Sequence, residues 1–164
     1  MSTVAVTRLV VAPIHDVWRV FSDLSGRASL LSTVESVEVL TAQPFGPGTR
    51  WREIRTLSGG LQVGEEYVVD QVEAPRLCAV SSPGVGANYR LTFRFSEIKV
   101  GRHAGCTSVT AVQEGGPTAT YGRLLALMFG GLAARTVEGA LRRDLADLAT
   151  AVERGRRGDP ATAA

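Results

Sequence analysis

The order of apolar and polar positions divides the chain into an opening strand, a short helix, a middle of strands and a long closing helix. Over Thr3 to Val11 β-branched residues are enriched, and Val4, Val6, Leu9 and Val11 nearly alternate. That pattern predicts a strand with a bulge or bend at the imperfect step. Pro13 follows, at a position where a helix accepts a missing N–H, and Val17, Trp18, Phe21 and Leu24 recur at helical spacing. A short amphipathic helix is therefore expected over Ile14 to Asp23. A second short helix is expected around Gly26 to Leu31, ending before Glu35.

From Val34 the period becomes two, with Val37 and Val39 alternating with Glu38 and Leu40 up to the turn Pro44-Phe45-Gly46-Pro47-Gly48. Further strands are expected over Thr49 to Leu57, Gln62 to Glu73, Leu77 to Ser81 and Asn88 to Ile98, with a closing strand from Thr107. This makes about seven strands, antiparallel because their connections are short. In the segment from Asn88, the residues Tyr89, Leu91, Phe93 and Phe95 share one face, which is expected to look inward.

The last helix is expected from Thr118 to about Glu153. Leu124, Leu127, Ala134, Val137, Leu141, Leu145, Leu148 and Val152 recur along it at three- and four-residue intervals. Leu125, Met128, Phe129 and Leu132 add a second apolar face to its first half, and Gly130-Gly131 predicts a kink or a close backbone approach there. Two helical elements thus have one sheet to pack on. The frame predicted is a curved sheet gripping a helix around a cavity.

Composition narrows the partners. The chain of 164 residues is 45% hydrophobic, enough for one core, so a single domain over 1–153 is expected, with a disordered tail over 154–164. The net charge is +2 and basic residues are mixed with acidic ones, which gives no footprint for nucleic acid. The N-terminus Met1-Ser2-Thr3-Val4 has no secretory pattern, and no apolar run reaches the ~20 residues of a membrane span, so a cytoplasmic protein is expected. Cys78 and Cys106 lack the spacing of a metal site or a disulfide framework and are expected to be reduced.

Four segments together resemble a known family. They are Val11-Ala12-Pro13 through Val17-Trp18 to Ser22-Asp23, Gly48-Thr49-Arg50-Trp51-Arg52-Glu53, Val72-Glu73-Ala74-Pro75-Arg76-Leu77, and Leu141-Arg142-Arg143-Asp144-Leu145-Ala146-Asp147-Leu148. They are similar to the SRPBCC superfamily, START-like and polyketide cyclase/dehydrase-type proteins with the helix-grip fold of the birch-pollen allergen. The resemblance covers roughly residues 3 to 153. It implies an α+β fold in the order β-α-α-β-β-β-β-β-β-α, a seven-stranded antiparallel curved sheet with two short helices and a long C-terminal helix enclosing a cavity. The superfamily hosts carriers, receptors and cyclases alike, so the fold does not choose among them. One departure is the segment Gly26-Arg27-Ala28-Ser29-Leu30-Leu31, where members often carry an aromatic or proline-rich stretch. The cavity entrance is expected to differ accordingly.

The densest chemistry lies in Gly48-Thr49-Arg50-Trp51-Arg52-Glu53-Ile54-Arg55. If Trp51 faces the cavity, the strand period brings Glu53 and Arg55 to the same side, where a carboxylate beside a guanidinium orients a ligand hydroxyl or carbonyl. In the other reading, preferred as far as catalysis is concerned, Trp51 packs in the core and Glu53 and Arg55 form an ion pair at the sheet surface. Tyr67, Tyr89 and Tyr121 each offer a phenol to end an apolar surface, Tyr89 first because Phe93 and Phe95 share its face, although strand aromatics are more often core. Met128 and Phe129 either adapt to a ligand or make sheet packing or a dimer contact. The ligand-binding candidates are Trp51, Glu53, Tyr67, Tyr89, Phe93, Met128 and Phe129; the catalytic candidates are Glu53 and Arg55.

Other chemistries find little footing. His15, in the first turn of the first helix, and His103, in the Gly101-Arg102-His103 turn, are expected to be solvated and away from the cavity. No metal and no cofactor are expected, since no His, Cys, Asp or Glu pair has ligand spacing with a third partner nearby. There is no G-x-S-x-G elbow, and Gly59-Gly60 and Gly84-Val85-Gly86 read as turn glycines rather than a phosphate loop. The leading expectation is a protein that binds a small hydrophobic molecule such as a lipid, polyketide or isoprenoid, as a monomer or weak homodimer. The alternatives are a polyketide cyclase/aromatase-like enzyme, with Glu53 as general acid or base and Arg55 polarising a carbonyl, and an interaction module using Leu125, Phe129 and Leu132.

Overall fold

A computed structural model of the chain describes residues 2–56, 60, 62–84, 87–117 and 120–158, with side chains at 2, 83–84, 87, 116–117 and 120–136 left out of the description. The elements follow the expected order: β1 (Ser2–Val10), α1 (Ile14–Ser22), α2 (Arg27–Leu30), β2 (Val34–Val39), β3 (Arg50–Thr56), β4 (Gln62–Glu73), β5 (Leu77–Gly84), β6 (Ala87–Glu97), β7 (Thr107–Pro117) and α3 (Thr120–Gly158). All neighbouring strands are antiparallel, in the spatial order β1-β7-β6-β5-β4-β3-β2. The chain therefore crosses from one edge of the sheet to the other between β1 and β2, and α1 and α2 are the crossing.

Local sequence explains each start. The Pro13 carbonyl accepts from the amides of Asp16 (3.1 Å) and Val17 (3.2 Å), so the proline stands where the first helical turn lacks donors to lose. Ile14, Val17 and Phe21 are the buried face of α1. On α3 the buried positions are Leu141, Leu145, Leu148, Ala149 and Val152, a stripe at helical spacing. This stripe closes on Val6 and Val10 of β1, on Val109 and Ala111 of β7 and on α1, forming one core.

Two expectations change. The β1–β7 register is continuous from Ser2 opposite Gly115 to Val10 opposite Thr107, so β1 has no bulge; Val10 is fully buried, while Val11 lies in the following bend and is 58% exposed. Irregular register falls instead between Val34 and Ser36 on β2 and between Val69 and Gln71 on β4. Residues 154–158, expected in a disordered tail, extend α3, and Arg156 Nη1 donates to Asp16 Oδ2 at 2.7 Å. The helix is continuous through Gly130 and Gly131.

Further polar contacts tie α3 to the crossing segment. Asp147 Oδ2 accepts from the Ser32 amide (2.8 Å) and hydroxyl (2.7 Å), and Glu153 Oε1 accepts from the Val11 amide (3.0 Å). The loop from Leu40 to Thr49 turns at Gly48, whose φ of 87° suits only glycine without strain, and folds back so that Gly48 N donates to Val69 O. Buried Thr49 accepts from the Gly46 amide at 3.0 Å, which sets the position of Phe45.

Candidate functional site

β3 carries the site because its alternation is clean. Trp51 (3% exposed) and Glu53 (0%) point inward, while Arg50 and Arg52 point out. On the outer face Arg52 meets Glu66 (2.5 Å) and Glu38 (3.4 Å), an exposed set worth little to stability. The expected Glu53–Arg55 surface pair is therefore not at the surface. Its place is taken by Arg52, Glu38 and Glu66, one residue out of phase, and Glu53 and Arg55 lie inside.

Glu53 accepts three hydrogen bonds: from Arg27 Nε on α2 (2.5 Å), Trp51 Nε1 (2.8 Å) and Arg55 Nε (2.9 Å). Arg55 Nη1 also donates to Asp144 on α3 at 3.0 and 3.2 Å and to Thr33 Oγ1 at 3.2 Å. Four charges from three elements thus form one chain, Arg27–Glu53–Arg55–Asp144. Burial pushes the Glu53 carboxyl up, but Arg27, Arg55 and the hydrogen bonds outweigh it and hold the group below its ordinary value. For Asp144 burial wins over the pull of Arg55 and Arg27, and its carboxyl is raised. Arg55 is held charged against burial by Asp144 and Glu53. The two carboxyls differ for a geometric reason: Glu53 is bonded by two guanidiniums, whereas Asp144 is bonded only by that of Arg55, which it shares with Glu53.

A cleft opens beside this chain. Its described lining is Phe21 and Leu24 from the first helix and its end, Arg27 from α2, Phe45 from the loop, Trp51 and Arg55 from β3, Tyr67 from β4, Cys78 and Val80 from β5, Leu91 and Phe93 from β6, and Asp144 from α3. It encloses about 410 Å³ of atom-free space with its open mouth included. Its closed part holds about two waters as it stands, so a ring-sized guest requires the lining side chains to move apart. The apolar wall is aromatic: Phe21 meets Phe93 edge-on at 4.8 Å, and Trp51 stacks on Tyr67 at 5.2 Å and 21°. The Arg27 guanidinium lies 5.6 Å from the centre of the Trp51 ring.

Of the residues singled out from sequence, Trp51, Arg55, Tyr67 and Phe93 line the cleft, and Glu53 stands fully buried behind it. Tyr89 is not among the described lining residues; its ring lies against Gly115 on β7, where an added Cβ would come 2.8 Å from Cδ1. The shared face of β6 is as expected, but Tyr89 sits too far along the strand. Tyr121, Met128 and Phe129, like Leu125 and Leu132, lie outside the described side chains. Arg27 and Asp144 were not foreseen as site residues. Asp144 had a legible signal, a carboxylate on the apolar stripe between Leu141, Leu145 and Leu148. Arg27 had none, since a four-residue helix has no periodicity to read. His15 and His103 are exposed. No group of three His, Cys, Asp or Glu able to hold a metal occurs among the described residues, and no described helix is long and apolar enough to cross a membrane.

This fold and cleft belong with a defined class. Residues 1–153 match the family described as polyketide cyclase / dehydrase and lipid transport, and the chain belongs to that family. Among solved structures, the protein TTHA0849 from Thermus thermophilus is 21% identical at a TM-score of 0.77, covering 94% of this chain and 99% of that one. The Zhui aromatase/cyclase from Streptomyces sp. R1128 is 20% identical at 0.74, covering 98% and 97%. The di-domain ARO/CYC BexL from the BE-7585A biosynthetic pathway is 16% identical at 0.69, covering 90% of this chain and 49% of that one. At these identities the likeness is one of fold. A comparison with curated proteins found no match.

Proposed function

We infer that the protein binds a small, largely apolar molecule, aromatic or polyketide-like, in the cleft between sheet and α3, with an oxygen-bearing end at Arg27 and Arg55. The observation that carries this reading is the segregation of the lining: Phe21, Leu24, Phe45, Val80, Leu91 and Phe93 make an apolar wall, and Arg27, Arg55, Asp144 and Tyr67 supply a few polar groups. The family description and the two aromatase/cyclase neighbours support the same class of guest. The test is a titration with anilinonaphthalene sulfonate. Saturable one-to-one binding is expected in the wild type and its loss in Leu91→Trp, which fills the cleft, with unchanged circular dichroism. Absence of saturable binding, or binding indifferent to Leu91→Trp, refutes the reading.

A second reading, an enzyme of cyclase type, is favoured by one observation: Asp144 lines the cleft beside Arg55 with a carboxyl that burial makes easier to protonate. In that reading Asp144 is the proton carrier and Arg55 polarises a carbonyl, whereas Glu53, saturated by three donors and held ionised, is a poor acid or base. Asp144→Asn is then expected to abolish cyclisation of a linear poly-β-ketone while retaining its binding; unchanged turnover excludes the role. We take the protein to act in the cytoplasm as a monomer or weak homodimer, which sedimentation across concentrations checks.

A further inference from the structure

Glu65 stands directly across the β3–β4 ladder from Glu53, and Tyr67 directly across from Trp51, so these side chains issue from the inner face of the sheet. The Tyr67 hydroxyl is hydrogen-bonded to Glu65 Oε2. A carboxylate has no proton to give, so the phenol gives its only one. What remains on the Tyr67 oxygen is acceptor capacity. Glu65 faces Glu53 across the ladder and Arg55 Nε bonds Glu53, so the Tyr67 hydroxyl and the Arg55 guanidinium share one stretch of the inner face, and both residues line the cleft.

The two arginines offer the opposite polarity. Both Nε groups and Arg55 Nη1 are engaged by Glu53, Asp144 and Thr33. No described group accepts from Arg55 Nη2 or from either terminal nitrogen of Arg27, and no described side-chain nitrogen is both buried and without a partner. Both residues line the cleft.

We propose that Glu65 is a positioning residue that fixes Tyr67 as a hydrogen-bond acceptor, so that the cleft selects a neutral hydroxyl compound, a phenol or alcohol on an apolar body, over the same compound with its O–H capped. The guest's oxygen accepts from a guanidinium and its proton goes to Tyr67. Burial, with the Glu65 charge adding to it, pushes the Tyr67 phenol well above its ordinary value, which keeps the Tyr67 proton in place at neutral pH. This proposal rests on the ligand-binding reading above.

The test is calorimetric titration at pH 7 with naphthol and with its methyl ether, on wild type, Tyr67→Phe and Glu65→Leu. Wild type is expected to favour naphthol about tenfold, the worth of one added hydrogen bond. Tyr67→Phe keeps the ring and lowers the ratio to near one. In Glu65→Leu the phenol proton is released to donate to either probe, so the ether gains affinity and the ratio falls to near one or reverses. A Glu65→Leu ratio equal to wild type, both probes weakening alike, overturns the proposal. So does equal binding of the two probes by wild type, which leaves the ligand-binding reading standing. Binding of neither probe overturns both. Should Glu65→Leu not fold by circular dichroism, the Tyr67→Phe ratio decides alone.

Discussion

Replacing Glu53 by glutamine removes one charge at the point where three elements meet. The carboxylate is fully buried between Arg27 and Arg55, whose side chains are 13% and 12% exposed. Deleting one partner of a buried pair costs roughly 3–5 kcal/mol, because the remaining charge is left without its counter-ion. Two features place this case near the lower bound. Arg55 keeps Asp144 and Thr33, and Arg27 borders the cleft, where water can reach it. The expected loss is about 3 kcal/mol, or a fall in melting temperature of roughly 6–12 °C for a chain of this size. Urea unfolding measures it directly. The pH dependence carries the sign. Folding lowers the Glu53 pKa from its ordinary 4.5, so its contribution is complete above that value and is lost as pH falls through the folded value. The gap between wild type and Glu53→Gln is expected to be constant between about pH 6 and 8 and to close below pH 4.5. A loss under about 1 kcal/mol, or a gap that widens in acid, refutes the reasoning.

Three more outcomes follow from single contacts. Gly115→Ala puts a Cβ 2.8 Å from Tyr89 Cδ1, and since that half-buried ring can swing outward the expected cost is about 1 kcal/mol by urea unfolding. Thr107→Val strands the Ala12 carbonyl that fully buried Thr107 Oγ1 reaches at 2.8 Å, with an expected loss of about 1–3 kcal/mol by the same assay. Burial pushes the Cys78 thiol up to about 12, so iodoacetamide at pH 8 is expected to spare it in the folded protein and modify it in urea, as mass spectrometry of the labelled peptide reports.

Periodicity exposed the frame because a sheet face and a helix stripe are written every second or every third and fourth residue. Phe93 and Phe95 on β6, and Leu141, Leu145 and Leu148 on α3, were readable for that reason. The polar centre was readable only in part. Trp51, Glu53 and Arg55 share a parity, but parity does not say which face is inside, and the surface reading of Glu53 and Arg55 was off by a face. Asp144 was visible as a charge on an apolar stripe; its partner Arg55 is 89 residues away, and no local pattern links them. Arg27 depends on where a four-residue helix sits over β3, which tertiary packing alone decides.

The central claim, a guest held in the cleft that Trp51 lines, is tested most directly by nitrogen-correlated NMR of the two indole N–H groups during titration with naphthol. Trp51 lines the cleft and donates to Glu53, whereas Trp18 is not among the described lining residues and packs on Phe95 at 5.3 Å. With Trp18→Phe assigning the pair, the account predicts a saturable shift of the Trp51 signal, in step with calorimetric binding, and a much smaller change at Trp18. A Trp51 signal that stays still while calorimetry reports binding puts the guest elsewhere and contradicts it.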